Sequence, residues 1–320
     1  ILSSIELTHT SGSSFSVGVT QVTITATDSI GNVATSTFQV EVLDDQFPTL
    51  AGVPTGITVT NDPGSCEAVV AWAAPVASDN CPDPVISFSQ GPGTTFPLGT
   101  TSVLYTVADA SGNAASLSFD VIVEDGEPPL ILGAPTSVDT STEPGVCTAT
   151  ATWTEPTFSD NCPGATLTSN HAPGETFSLG STVVTYTATD AAGQVATATF
   201  PVTIADLELP LILGTPANIT MVADPGLCAA TTTWAEPVAS DNCGAPTLTS
   251  DIPSGAQFPF GSTTVTYTAT DASGNVALTS FTVTVNESEP PTISAVPLDI
   301  TVPNDPGLCS ASVSWTQPSV

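Results

Sequence analysis

The chain has 320 residues, 31 of them Asp or Glu, none Lys or Arg, and a net charge of −31. About one residue in eight is ordinarily basic, and both phosphate backbones and anionic lipid surfaces are recognised through Lys and Arg. Their complete absence therefore excludes nucleic acid as a partner, and with it Lys-based Schiff-base chemistry. Charged residues make up only 10% of the chain, so its charge comes from missing cations and not from a surplus of carboxylates.

The chain repeats with a constant step of 81 and without insertion or deletion: Trp72, Trp153, Trp234 and Trp315 keep this step, as do Cys66, Cys147, Cys228 and Cys309. A fixed period marks an array of like modules, each long enough to bury a small core. In chain order the sequence divides into the carboxy-terminal part of a repeat at 1–44, whole repeats at 45–125, 126–206 and 207–287, and the amino-terminal part of a repeat at 288–320. The chain thus spans four repeats less four residues and reads as a window from a longer array. The rival reading is a short subunit that polymerises head to tail by strand complementation.

One repeat, followed from its start, shows how each unit is built. Pro128–Pro129 open it, and the apolar run Leu130–Ile131–Leu132 closes at Gly133. Val146 to Trp153 alternates small apolar residues with Thr. Ser159–Asp160–Asn161–Cys162–Pro163–Gly164 is dense in turn formers. Val184 to Thr189 alternates again, turns through Asp190–Ala191–Ala192–Gly193, and continues as Val195 to Ile204. Period-two alternation with turns every 8 to 12 positions predicts an all-β chain of tandem immunoglobulin-like antiparallel β-sandwiches, about seven strands each. Prolines at the module starts and the lack of long Gly/Ser linkers predict an extended rod or fibre. The four tryptophans Trp72, Trp153, Trp234 and Trp315 are expected in the module cores.

Cysteines Cys66 and Cys81, Cys147 and Cys162, and Cys228 and Cys243 form closely spaced pairs, one per repeat, and Cys309 is left with its partner outside the chain. Only two His occur, at unrelated positions, which leaves no Cys/His zinc pattern. The spacing predicts one disulfide inside each module, closing a loop worth roughly 3 kcal/mol in the chain-entropy model, against the alternative of buried reduced thiols. Disulfides place the chain in an oxidising, extracellular compartment.

The blocks Asn61–Asp62–Pro63–Gly64–Ser65–Cys66, Trp72, Ala77–Ser78–Asp79–Asn80–Cys81–Pro82, Phe96–Pro97–Leu98–Gly99 and Tyr105 to Asn113 together resemble the hyalin repeat (HYR) module, and all four units carry them. Two departures are Ile24, where the other units have Tyr, and Gln194, where they have Asn. The resemblance implies an immunoglobulin-like sandwich in an extracellular adhesive or matrix-forming protein. A bacterial surface protein is the source expected here.

Chemistry, if present, sits in recurrent acids. Asp28, Asp109, Asp190 and Asp271 precede the last strand; Asp44, Asp125, Asp206 and Glu287 fall at module junctions, with Glu127, Glu208 and Glu289 two places further on. Carboxylates gathered at a junction are hard oxygen ligands suited to Ca²⁺. The competing reading is that they form turns and solvated surface, and Asp79, Asp160 and Asp241 are read as turn formers. Asn218 and Asn286 lie in sequons of accidental character. No recurring His, nucleophile motif or phosphate-cradling loop is present, which argues against an enzyme. The sequence therefore points to a structural segment of an extracellular filament, stalk or surface fibre. Its partners would be further repeats or neighbouring copies of the same chain, with no membrane insertion in this segment. The alternative is an adhesin whose repeats bind a surface ligand, a glycan or protein, through a variable loop such as 163–177.

Overall fold

The computed structural model describes residues 1–319, which form 27 strands and no helix. They make two compact units, one of residues 1–133, 156–169 and 186–198, the other of 134–155, 170–185 and 199 onward. The module at 126–206 contributes to both.

The first unit opens with a three-stranded antiparallel sheet of β1 (Leu2–Leu7), β2 (Gly18–Asp28) and β3 (Val33–Val42). A whole module follows: β4 (Thr49–Ala51), β5 (Ile57–Thr60), β6 (Glu67–Val70), β7 (Val76–Ser78), β8 (Val85–Phe88), β9 (Thr94–Pro97), β10 (Gly99–Ala108) and β11 (Ala114–Glu124). One layer is the sheet β5-β11-β10-β8, and β4-β7 and β6-β9 pair separately. Alternation does the sorting, since successive side chains point to opposite faces of a strand. Val103, Tyr105 and Val107 of β10 and Phe119, Val121 and Val123 of β11 are buried, while Leu104 and Asp120 between them face outward. Against them pack Ala68 and Val70 of β6, Phe96 of β9 and Trp72. Each such large side chain contributes about 1.5–3 kcal/mol when fully buried. The Trp72 ring meets Phe119 edge-on at 5.3 Å and donates its Nε1–H to Tyr105 Oη at 3.0 Å.

Two features differ from the sequence expectation. Each whole module has eight strands rather than seven, because the opening segment is split in two, as in β4 and β5. Nor is the sandwich purely antiparallel. Strand β5 lies parallel to β11, with Val121 opposite Ile57 and Val123 opposite Val59. The opening segment contributes β4 to a pair with β7 and then β5 to the edge of the other sheet, where it runs in the same direction as the closing strand.

The second unit repeats this plan. Ile219–Val222, Val276–Asn286, Gly261–Thr270 and Thr247–Ser250 form the four-stranded sheet in that order. Its core holds Phe258, Val265, Tyr267, Phe281 and Val283, with Trp234 packed against it. Here Trp234 Nε1 donates to Tyr267 Oη at 2.6 Å, and that hydroxyl donates on to Glu236 Oε2 at 2.6 Å. Trp153 lies 6.1 Å from the ring of Phe177 and 5.5 Å from that of Phe200.

Trp315 departs from the expected core position. It is 62% exposed, in a stretch after Asn286 that carries no strand among the described residues. The residues that cover the other tryptophans, such as Phe96 and Phe119, have no counterpart after it in this sequence. Phe38 shows the same effect at the opposite end: it is 49% exposed where its equivalent Phe119 is 4% exposed. Residue 320, the last of the expected part-repeat at 288–320, lies outside the described residues.

Candidate functional site

The disulfides overturn the in-module pairing. Cys66 is bonded to Cys162 and Cys147 to Cys243, each across a sequence separation of 96, with Cα–Cα distances of 4.9 and 4.7 Å. Each bond therefore joins one module to the next. The physical reason lies in the path between Cys66 and Cys81. From β6 through Trp72 to β7 the chain contains no turn. It carries its two cysteines to opposite ends of the module. Cys66 sits beside Pro97 and Leu98, near the end where β11 leaves; Cys81 sits beside Asp44, where the chain enters. Cys81, Cys228 and Cys309 carry no disulfide. The same step of 96 places a partner for Cys228 at 228 + 96 = 324, outside this sequence.

Polar contacts flank each bond. In the first unit, Asn161 Nδ2 donates to Ser65 O at 2.9 Å, so the turn before Cys162 docks on the turn before Cys66. Glu127 Oε2 accepts from Gly64 N at 2.9 Å, and Gln194 Nε2 donates to Asp125 O at 2.9 Å. The second unit repeats the set: Asn242 Nδ2 to Val146 O at 3.1 Å, Gly145 N to Glu208 Oε2 at 2.9 Å, and Asn275 Nδ2 to Asp206 O at 3.1 Å. Gly226 N reaches Glu289 Oε2 at 3.3 Å. The glycines share a left-handed backbone (Gly64 φ 72°, Gly145 76°, Gly226 73°), the conformation that lets the turn point its amide at the glutamate.

These contacts engage several of the recurrent acids. Glu127, Glu208 and Glu289 clamp glycine amides, and Glu287 accepts from the amides of Ser288 and Glu289. The groups that converge are instead the junction aspartate and the aspartate two places before the second cysteine, joined in one of three places by the aspartate of the last turn. Asp206, Asp241 and Asp271 each bring an oxygen within 4.8 Å of the others, and Asp206 and Asp271 are 5% and 9% exposed. At the equivalent places Asp44 and Asp79 gather with the Cys81 sulfur, and Asp125 and Asp160 with that of Cys162, which is held in its disulfide. Sequence reasoning assigned Asp79, Asp160 and Asp241 to turns. The turn bonds are present, since each accepts the amide of the cysteine two places on, at 3.0, 2.8 and 2.9 Å, and each also stands in one of these groups. The signal that could have drawn attention to them was their recurrence at the same step as the junction acids.

Several oxygens here lack a partner. Buried side-chain atoms without a hydrogen bond include Asp44 Oδ2, Asp160 Oδ2, Asp190 Oδ2 and Asp241 Oδ1, together with the neighbouring Asn242 Oδ1. Asp190 is 7% exposed. In the equivalent turns Asn113 and Asn275 donate to both the aspartate Oδ2 and the junction carbonyl. Gln194 makes only the second of these bonds, which leaves Asp190 Oδ2 bare. Burial pushes the Asp109 and Asp271 carboxyls up, but hydrogen bonds from the Asn113 and Asn275 side chains and turn amides outweigh it and hold both below the ordinary value. Asp28 is lowered by Asn32 in the same way. The Cys81 thiol is pushed up to about 11, first by its hydrogen bond to Asp44 and then by burial and the surrounding carboxylates. Asn218 and Asn286 are exposed, and the Asn218 amide oxygen accepts from Thr282 N.

The HYR domain family matches at residues 1–42, 43–123, 124–204 and 205–285. The chain belongs to the HYR domain family. It is 36% identical to hyalin of Lytechinus variegatus over 98% of its length and 61% of that protein, and 36% identical to hyalin of Strongylocentrotus purpuratus, covering 27% of it. It is also 37% identical, over 52% of its length and 5% of that protein's, to "Sushi, von Willebrand factor type A, EGF and pentraxin domain-containing protein 1" of Rattus norvegicus. The chain thus spans about three fifths or less of these relatives, all of them animal proteins, and the expected bacterial source finds no support among them. Among solved structures, the protocadherin GammaB4 extracellular domain aligns over 84% of this chain and 55% of its own, at 18% identity and a TM-score of 0.31. As an HYR protein of this kind, the chain is extracellular or cell-surface. No helix among the described residues is long and apolar enough to cross a membrane.

Proposed function

We propose that this HYR chain is a structural segment of an extracellular filament, stalk or matrix, with no catalytic activity, in which successive modules are joined by sulfur and by Ca²⁺. The observation that carries this reading is that each disulfide links a module to its successor and not to itself. A bond inside a module stabilises a domain; a bond between modules builds a continuous object.

The donor set supports the cation. Three carboxylates within 4.8 Å repel one another, and no Lys or Arg exists in the chain to relieve them. Bare, buried carboxylate oxygens at these places supply hard ligands of the kind Ca²⁺ takes, with Asp206, Asp241 and Asp271 the fullest set. When bound, the ion would neutralise the cluster and fix the entry end of the module. Asp44 and Asp79, and Asp125 and Asp160 with Asp190, would serve the equivalent places.

The adhesin alternative rests on the 163–177 loop. There His171 Nδ1 and Glu175 Oε2 meet at 2.8 Å, and the His171 ring packs on Phe177 at 5.2 Å. The pair is 33% and 46% exposed, but its two polar groups hold each other, which favours the structural reading. Thermal unfolding with millimolar Ca²⁺ and then excess chelator tests the cation: a melting temperature lowered by chelation is expected, and an unchanged one overturns it. Electron microscopy of the native material tests the filament, and dispersed single molecules under all conditions would overturn that.

A further inference from the structure

The two disulfide loops overlap. Cys66–Cys162 encloses Cys147, and Cys147–Cys243 encloses Cys162, so the strip 147–162 belongs to both loops. This topology shortens the covalent route through the molecule. Along the backbone, Cys66 and Cys147 stand one full repeat apart. Through sulfur, the route crosses from Cys66 to Cys162 in one Cα–Cα step of 4.9 Å and returns along the short strip to Cys147. A second bond then leads on to Cys243.

We propose that this ladder makes the chain a tether of bounded extension, in which tension runs through sulfur and the short strip between the two bonded cysteines Cys147 and Cys162. The rest of each sandwich, outside that strip, is spared the load. In an ordinary tandem array a module that unfolds under force releases its whole length, about 270–290 Å for a repeat of this size at full extension. Here the strip between consecutive bonds can release only about 50 Å. That strip is the one carrying the core tryptophan. The strip 147–162 contains Trp153, seated on Phe177 and Phe200. The segment exposed to load is thus anchored by the module's largest side chain. Reduction would convert the tether from bounded to fully extensible, a change of mechanical state at constant sequence.

The proposal draws on the structural reading only for its biological use; the lengths it predicts do not depend on that reading. Single-molecule pulling of the whole chain from its two ends, before and after dithiothreitol, tests it. The bonds replace the backbone path from Cys66 to Cys243, two repeats and one strip long, by the strip 147–162 alone. Two whole repeats are therefore withheld, and the final extension should grow by about 550 Å on reduction. In-module pairing would hide only the three strips that separate paired cysteines and give a gain of about 150 Å. That value, or no gain, overturns the proposal. A second reading comes from Cys162→Ser, in which only the loop from Cys147 to Cys243 remains closed. Its oxidised chain should reach about 230 Å further than the oxidised parent. Should the variant fold poorly, digestion of the unreduced parent at acidic residues identifies the linked peptides directly. Trypsin cannot serve, because the chain has no Lys or Arg.

Discussion

At the scale of single residues, the turn aspartates show how one side-chain difference changes a site. Asn113 and Asn275 hold both their aspartate and the junction carbonyl, whereas Gln194 holds only the carbonyl. Gln194→Asn should therefore satisfy Asp190 Oδ2 and stabilise the chain by about 1 kcal/mol. Equal or lower stability in urea unfolding would contradict this. Tyr267→Phe removes the acceptor of Trp234 Nε1 and the donor to Glu236, while Tyr105→Phe removes only an acceptor, that of Trp72. Both should lower stability, by about 1–3 kcal/mol, and the first by more. Acid should also weaken the fold. Because the folded state lowers the Asp28, Asp109 and Asp271 carboxyls below 3.8, their contribution is present above that value and is lost as pH falls through the lowered ones. Melting temperatures should be flat near neutrality and fall below about pH 4.

At the scale of elements, the joints rest on glycines in left-handed turns that present amides to glutamates of the following linker. Gly145→Ala should cost about 1 kcal/mol, from the strained φ of 76° and the clamp to Glu208 it disturbs. This is measurable by thermal unfolding. The elements themselves were legible in the sequence. Alternation in Val184–Thr189 and Val195–Ile204 declared strands, and Asp–x–x–Gly declared the turn between them, because both are local properties. The parallel pairing of β5 with β11 was not legible, since nothing in the sequence around Ile57 names its distant partner. The cysteine pairing failed for a related reason. A short spacing suggests closure only if the segment turns back, and the stretch through Trp72 runs straight on. The acids divided likewise. Recurrence marked Asp44 and Asp109 as candidates, but the backbone role of Asp79 concealed its place beside Asp44, and Asp109 stands outside that group.

At the scale of the whole molecule, a net charge of −31 without any cation makes the chain's stability depend on its ionic surroundings. Added NaCl should raise the melting temperature gradually by screening, over the range in which the Debye length falls from about 10 Å to about 3 Å. Ca²⁺ should act at far lower concentration, because it would bind at the buried clusters rather than screen the surface. If the two salts prove equivalent at equal ionic strength, the carboxylate clusters hold no specific ion.

The one-module offset of the disulfides also fixes an order of events at birth. Cys66 emerges from the ribosome a sequence separation of 96 ahead of Cys162, its rightful partner, whereas Cys81 follows it closely. At about 5–20 residues per second the correct thiol arrives some 5–20 s later, long after the wrong one is within reach. Early folding of each sandwich, which draws Cys66 and Cys81 to opposite poles, should keep the newly made chain from oxidising in the wrong sense, and Cys66–Cys81 bonds should form when the unfolded chain is oxidised.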